Sequence, residues 1–288
     1  MTVLEAIQRG TDFLAAKGVE SPRLQAELLL ARALGVPRLR LYLQFDRDVP
    51  GEAIEGARAL LKRRAQREPL QHILGSAAFC GLELQVSTAV LVPRPETELL
   101  AEQAWQAAAA CGEPAPVLLD FGTGSGALAI ALAVHCPGAV IHAVDISDAA
   151  LAVARANAER HGVAGRITFH QGDGFAALPE GLQFALVVAN PPYIPTAEIA
   201  TLAPEVRDHD PRVALDGGSD GLRFYRYLAK EAPAWVRPGG GILLELGDGQ
   251  ADAVRALLEG HNWVVERVLP DYSDRLRVLV ARRRVSGE

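Results

Sequence analysis

Asp120-Phe121-Gly122-Thr123-Gly124-Ser125-Gly126 sets three glycines at alternate positions behind an acid, where an apolar run gives way to a helical one. Glycines in such a turn let a ligand approach the backbone, and the N-terminus of the next helix faces it, so an adenosine-type ligand is expected. The GxGxG spacing is one residue shorter than the dinucleotide fingerprint GxGxxG, which argues against NAD. Asp145, 19 residues beyond Gly126, ends a second strand, where its carboxylate can accept both ribose hydroxyls or cap a helix. Asp173, after a third strand, can accept from an adenine amino group; a purely structural role stands equally open.

A second chemical feature is Phe184-Ala185-Leu186-Val187-Val188-Ala189-Asn190-Pro191-Pro192-Tyr193. Six consecutive apolar residues fit a strand covered on both faces, and the prolines, which lack ladder donors, end it. Asn190 and Pro191 each precede a proline and are pushed to extended geometry, so the Asn190 side chain and the Pro191 carbonyl sit on a stiff segment. A stiff polar tip on a buried strand is suited to holding a reacting group.

The elements that would position these residues follow from the remaining pattern. From Pro116 strand and helix alternate: strands at 117–121, 140–144, 167–170, 184–189 and 241–246, helices at 126–134, 148–160 (capped by Ser147), 222–235 and 251–258, and closing strands at 263–269 and 276–281. That alternation is the signature of a doubly wound α/β domain. Phe121 to Val144 has no charged residue over 24 positions, but its glycines, His135 and Pro137 favour strand, turn and buried helix over a membrane span.

Residues 1–78 read as helical. Leu4, Ile7 and Thr11 begin one amphipathic stretch; Ser21-Pro22 opens a second helix with Leu24, Leu28, Ala31 and Leu34 on one face, ending at Gly35; a third runs over about 52–67. Lys62, Arg63, Arg64 and Arg67 at its end suit a helix C-terminus and read as a solvated face, with an acidic or RNA-bearing partner the lesser reading. Residues 79–92 alternate as a short hairpin, and Pro95 opens a linker helix to about Ala110. Arg94, trapped between Pro93 and Pro95, is either structural or reaches an anionic group.

At 288 residues, 49% hydrophobic and 22% charged, the chain has the composition of a globular protein of roughly two domains. The formal charge of −6 is uneven, with residues 1–78 net positive and the negative excess after residue 78, which argues against a large basic groove there. Cys80, Cys111 and Cys136 have no CxxC spacing and the seven His residues no ligand pattern, so no metal site is expected and a reducing cytosol fits. The N-terminus lacks a basic n-region and an apolar h-region, so no signal peptide is read.

The glycine turn and acids resemble the class I S-adenosylmethionine-dependent methyltransferases, and Asn190-Pro191-Pro192-Tyr193 looks like the motif of those that methylate planar nitrogen. An amide nitrogen is a poor nucleophile because its lone pair is delocalised. The Asn190 side-chain oxygen and the Pro191 carbonyl can bind its two N–H groups and aim electron density at the sulfonium methyl, with no strong base required. Adenine-N6 and guanine-N2 enzymes present similar tips, so a nucleobase is the alternative substrate. Glu68-Pro69-Leu70-Gln71-His72-Ile73-Leu74-Gly75, Pro93-Arg94-Pro95-Glu96-Thr97-Glu98, the glycine turn, the tip, and Asp210-Pro211-Arg212 through Asp216-Gly217-Gly218 occur in one order. The set resembles the HemK/PrmC family, which methylates N5 of the glutamine in the Gly-Gly-Gln motif of class I peptide chain release factors.

The resemblance implies a Rossmann-like, mostly parallel seven-stranded sheet with a small N-terminal helical domain: a helical substrate-recognition domain over 1–78, hairpin and linker helix over 79–111, and a catalytic domain over 112–288. It implies that Gly122, Thr123, Gly124, Ser125, Gly126, Asp145, Asp173, Gly174 and Asn190 hold S-adenosylmethionine, and that Asn190, Pro191, Pro192 and Tyr193 hold the substrate, with Asn190, Pro191 and Tyr193 catalytic and Tyr193 packed against the flat target. A cytoplasmic monomer acting on a protein partner, with no direct nucleic acid or membrane, is expected. Three positions depart from the family pattern: Gly174 stands where an aromatic usually covers the adenine, leaving Phe175 or another residue to do so; Asp210 replaces Glu; and Asp274 replaces a glycine, a left-handed position that Asp tolerates.

Overall fold

A computed structural model of the chain describes residues 1–285; the last three residues of the expected catalytic domain, 286–288, lie outside them. The chain divides into two compact units, one of Met1–Ser76 with Ala203–His209, the other of Ala77–Leu202 and the residues from Asp210 on.

In the first unit, α1 (Val3–Ala15) is closed by a capping box between Thr2 and Glu5, and α2 (Pro22–Leu34), α3 (Arg38–Tyr42), α4 (Gly51–Ala65) and α5 (Leu70–Leu74) follow. The short α3 and α5 carry too few turns to show a period, and neither is among the expected helices. The buried residues of α2 are Ala26, Glu27, Leu29, Leu30 and Ala31; of the expected face Ala31 is buried, Leu28 and Leu34 are half-buried and Leu24 is exposed, so that face is partly rotated. Ser21 precedes α2 in left-handed geometry (φ 46°) and makes no side-chain cap bond. Lys62 and Arg63 are solvated as expected, but Arg64 and Arg67 are not. Arg64 is buried and donates to Gln25 Oε1 (2.6 Å) and Glu205 Oε1 (2.8 Å), Arg67 to Glu205 Oε2 (2.9 Å), and Arg63 pairs with Glu68. The acid these cations needed lies about 140 positions along the chain, out of reach of any local pattern.

The second unit opens with a hairpin, β1 (Ser76–Phe79) and β2 (Leu82–Gln85), earlier and shorter than expected. Its two turn residues, Cys80 and Gly81, both have positive φ (48° and 75°), as a two-residue turn matched to strand twist requires. Then come α6 (Pro95–Ala110), β3 (Val117–Phe121), α7 (Ala127–His135), β4 (Val140–Asp145), α8 (Asp148–Arg160), β5 (Ile167–Gln171) and β6 (Phe184–Ala189). After α9 (Pro204–Arg207), which belongs to the first unit, follow α10 (Arg223–Glu231), β7 (Val236–Glu245), α11 (Ala251–Glu259), β8 (Trp263–Pro270) and β9 (Leu276–Arg283). α10 ends four residues before the expected Trp235, where Pro233 enters and the chain tightens into a 3₁₀ turn over Ala232–Ala234. β7 begins five residues before the expected Gly241. Asp274 adopts φ 59°, the left-handed geometry expected of it.

The seven-stranded sheet has the order β5-β4-β3-β6-β7-β9-β8, parallel except for β9. All six residues of β6 are buried, because one apolar cluster covers each face: α6 and α7 with Leu118, Leu186 and Val188 on one side, α10 and α11 with Leu119, Val187 and Trp263 on the other. α7 is buried from Ala127 to Ala133, which accounts for the uncharged run. No helix among the described residues is long and apolar enough to cross a membrane. The chain runs outward from β3 through β4 to β5, then returns to β6 on the other side of β3. That reversal opens a crevice at the carboxyl ends of β3 and β6, which pair Phe121 with Ala189 and so deliver Gly122 and Asn190 side by side.

Candidate active site

Asp120, the last inward residue of β3 before the turn, is fully buried. Its Oδ2 accepts from Thr123 Oγ1 (2.6 Å) and from the Ala129 backbone at the start of α7 (3.0 Å). Burial pushes its carboxyl up to about 7, against the pull of those two donors. The loop above has positive φ at Gly122, Gly124 and Gly126. A Cβ on Gly126 would stand 3.1 Å from Ala154 Cβ, so that glycine serves the packing of α7 on α8. Gly122 and Gly124 have nothing within 4 Å on that side and face a cavity.

The cavity holds about 500 Å³ and includes Gly122, Gly124, Asp145, Asp173, Gly174, Asn190, Pro191 and Pro192 in its wall. Its size falls in the range of small-molecule sites, and its walls are mostly apolar with a few polar groups. Asp145 is braced by two backbone donors, Gly124 to Oδ2 (2.8 Å) and Ser147 to Oδ1 (2.9 Å), each leaving lone pairs for a hydroxyl. Thr123, Ser125 and Gly126 do not line the cavity; they are the buried frame of its loop. Two carboxylates, a glycine loop and aromatic walls fit an adenosine-bearing molecule.

Gly174 is enclosed at φ 57°, where a Cβ would stand 2.8 Å from Tyr227 Oη and 3.1 Å from the Phe121 ring. No side chain fits there. Phe175 does not take over as a cavity wall: it is buried, stacked on Tyr227 and Trp235 at centroid distances of 5.8 and 5.7 Å. The aromatic rings on the wall are Phe121, Phe224 and Tyr227.

At the tip, Pro191 is buried and, among the described residues, no hydrogen bond reaches its carbonyl. Asn190 Nδ2 donates to Thr97 Oγ1 (3.1 Å), and Thr97 Oγ1 donates to Glu245 Oε2 (2.6 Å). Tyr193 does not line the cavity. Its hydroxyl donates to Glu245 Oε1 (3.4 Å), while its backbone carbonyl accepts from Gln250 Nε2 (2.9 Å). Burial, with the Glu245 charge beside it, pushes the Tyr193 hydroxyl well above its usual range. Burial likewise raises Glu245, to about 7, with Thr97, Arg277 and Tyr193 pulling the other way. Glu245 carries no role in the sequence reading; an acid inside the apolar run of β7 was its one signal.

The segment after Asp210 clasps the tip from outside. Ile194 bridges to Asp216, a Cβ on Gly217 would stand 2.8 Å from the Pro192 carbonyl oxygen, and one on Gly221 would strike the Tyr193 carbonyl. Those glycines let two backbones touch. The anionic group that Arg94 reaches is Asp210, at 2.6 Å.

Residues 5–75 match the family model described as PrmC N-terminal domain, and residues 95–206 that described as Methyltransferase small domain. The chain is 47% identical over 253 residues to a release factor glutamine methyltransferase of Geobacter sulfurreducens, across 88% of this chain and 87% of that one. To the protein of the same description from Moorella thermoacetica it is 43% identical over 285 residues, 99% of each chain. Among solved structures, a methyltransferase from Pyrococcus furiosus superposes with a TM-score of 0.55 at 18% identity, over 78% of this chain and 99% of that one, a likeness of fold.

Proposed function

The chain belongs to the release factor glutamine methyltransferase family, and we propose that it transfers a methyl group from S-adenosylmethionine to the side-chain N5 of the glutamine in the Gly-Gly-Gln motif of class I peptide chain release factors. The observation that carries this reading is the acceptor pair at the cavity edge: the Asn190 amide held through its nitrogen, and the Pro191 carbonyl without a partner among the described residues.

The two oxygens take the two N–H groups of the glutamine amide and hold its plane so that the nitrogen faces the cavity. S-adenosylmethionine, when bound, would supply a sulfonium methyl to the amide nitrogen, with the cofactor's sulfur left as a neutral thioether. Positive charge develops on the amide nitrogen, and acceptors already in place stabilise it without reorganising. The surplus N–H proton then leaves to water, which needs no strong base. Asp145 would hold the ribose hydroxyls and Asp173 the adenine amino group, and Gly122 and Gly124 would give the ligand room along the loop. Thr123, Ser125, Gly126 and Gly174 support that binding by shaping the loops. Tyr193 braces the tip through Glu245. Phe121, Phe224 and Tyr227 give flat apolar walls.

The helical region 1–78 recognises the release factor, residues 79–111 link it onward, and the region from 112 carries the chemistry; the protein works as a monomer in the cytoplasm. Incubation with methyl-labelled cofactor and purified release factor tests this, with a Gln→Ala factor as control and nucleic acid bearing adenine or guanine as a second arm. Label on the wild-type factor alone is expected. A factor that takes up no label while the cofactor binds overturns the reading, and label on the nucleic acid arm turns it to a nucleobase enzyme.

A further inference from the structure

An asparagine amide presents an oxygen and an NH₂ of nearly equal size, and only its partners decide which points where. In this site the decision lies two residues away. Thr97 in the first turn of α6 has a single hydroxyl hydrogen, and the 2.6 Å contact directs it at Glu245 Oε2 at the end of β7, the short distance of a charge-assisted bond. With its hydrogen so used, Thr97 Oγ1 can only accept, and it takes a hydrogen from Asn190 Nδ2 at 3.1 Å. The Asn190 oxygen is thereby turned away from Thr97. The reverse orientation would set the Asn190 oxygen against the Thr97 lone pairs and offer an NH₂ to a substrate N–H.

We propose that Glu245 is a positioning residue for the transfer, acting through Thr97 to fix the Asn190 amide with its nitrogen inward and its oxygen toward the substrate amide. This rests on the function proposed above and goes beyond it by adding two residues that touch neither substrate nor cofactor. Glu245 is the acceptor end of the relay and must be ionised to serve. A protonated carboxyl can itself donate to Thr97, which frees the Thr97 hydrogen to face Asn190 Oδ1 and lets the amide turn over. The groups that face Glu245 are Thr97 and Glu96 on α6, Tyr193 on the tip, Tyr225 on α10, whose hydroxyl donates to the Glu245 backbone carbonyl, and Arg277 on β9, itself paired with Asp271. Burial places the Glu245 carboxyl about 7, so the relay switches near neutrality.

The test combines kinetics and a direct view of the hydrogens. In Thr97→Val, kcat is expected to fall about 10- to 100-fold, the scale of removing a group that orients a site residue, with the cofactor Kd unchanged. Thr97→Ser, which keeps the hydroxyl, recovers most of that loss. Wild-type kcat falls as pH drops through about 7, and this limb disappears in Glu245→Gln and in Thr97→Val. Neutron diffraction of the deuterated wild-type protein above pH 8 should place the Asn190 deuterons toward Thr97 and the Thr97 deuteron toward Glu245. Thr97→Val as active as wild type, Thr97→Ser as impaired as Thr97→Val, or an Asn190 oxygen facing Thr97 overturns the proposal. If wild type methylates no release factor yet the deuterons lie as stated, the substrate reading falls and the orientation of Asn190 stands.

Discussion

Arg94 Nη2 donates to Asp210 Oδ2 over 2.6 Å, tying the residue that precedes α6 to one 116 positions later, at the start of the segment that clasps the tip. The Asp210 side chain is fully buried, whereas that of Arg94 is 37% exposed. Removing the guanidinium takes a cation from a buried carboxylate, and water entering the part-solvated space it leaves replaces only some of that contact. Arg94→Ala is therefore expected to destabilise the protein by about 1.5–3 kcal/mol, toward the lower end because Arg94 is part-solvated. Urea unfolding reads this as a lower midpoint at constant slope, and Asp210→Asn, which removes the charge but keeps an acceptor, should cost less. A loss under about 0.5 kcal/mol for Arg94→Ala would make the pair an ordinary surface contact.

Asn190 and Asp145 both line the cavity and should fail differently. Asn190→Ala removes an acceptor whose value appears as charge develops on nitrogen, so turnover should drop about 100-fold or more while cofactor affinity stays within a few-fold. Asp145→Ala should weaken cofactor binding first, because on the proposed function its carboxylate takes the ribose hydroxyls, and its Oδ2 also accepts from the Gly124 N–H of the glycine loop. Isothermal titration with the cofactor and single-turnover methylation separate the two. Equal losses of binding and turnover in Asn190→Ala would assign that residue to holding the cofactor.

Much of this site was legible because its parts are local. The glycine turn, the acid ending β4 and the prolines after β6 each announce a strand end, and strand alternation places those ends on one side of a sheet. What the sequence withheld is pairing over distance. Thr97 stands in a recognisable stretch, yet its tie to Glu245 spans 148 positions, and nothing near either residue encodes it. Phe175 looked like a substitute for an aromatic at 174, but a 3₁₀ turn over Gly174–Ala177 turns its ring into the core and leaves the wall to Phe121, Phe224 and Tyr227. Arg64 and Arg67 left the solvated face expected of the basic cluster for a similar reason, since their acid arrives on α9.

Gly174 should resist every substitution while Tyr227 keeps its hydroxyl. A Cβ at 174 meets Tyr227 Oη at 2.8 Å on a backbone at φ 57°, so Gly174→Ala combines a clash with a left-handed strain of about 1–3 kcal/mol. Tyr227→Phe removes the clashing oxygen and leaves the strain and the 3.1 Å approach to the Phe121 ring. The double variant Gly174→Ala/Tyr227→Phe is therefore expected to be more stable than the sum of the single losses allows. Simple additivity of the two would show that the contact does not govern the position.

The fully buried Asp120 links pH to stability in the direction opposite to most carboxylates. Its folded pKa is about 7, raised from 3.8 chiefly by burial, so between those values the folded chain binds more protons than the unfolded one. The stability it contributes is fully present below pH 3.8 and lost as pH rises through about 7. Among the described residues its Oδ1 has no hydrogen-bond partner, so no donor offsets the burial of a charge on that oxygen. Asp120→Asn is expected to keep an acceptor for Thr123 Oγ1 and the Ala129 N–H and to lose the titration. Unfolding free energies measured from pH 4.5 to 8 should then decline less with pH in Asp120→Asn than in the wild type, and the two curves should separate most on the alkaline side. Glu245, raised to about 7 for the same reason, contributes the same sign, so the slope that survives in Asp120→Asn should flatten further in Asp120→Asn/Glu245→Gln. Parallel curves for wild type and Asp120→Asn would mean that Asp120 ionises in the folded protein as readily as in the unfolded chain, and that the glycine loop rests on a charge rather than on a neutral carboxyl.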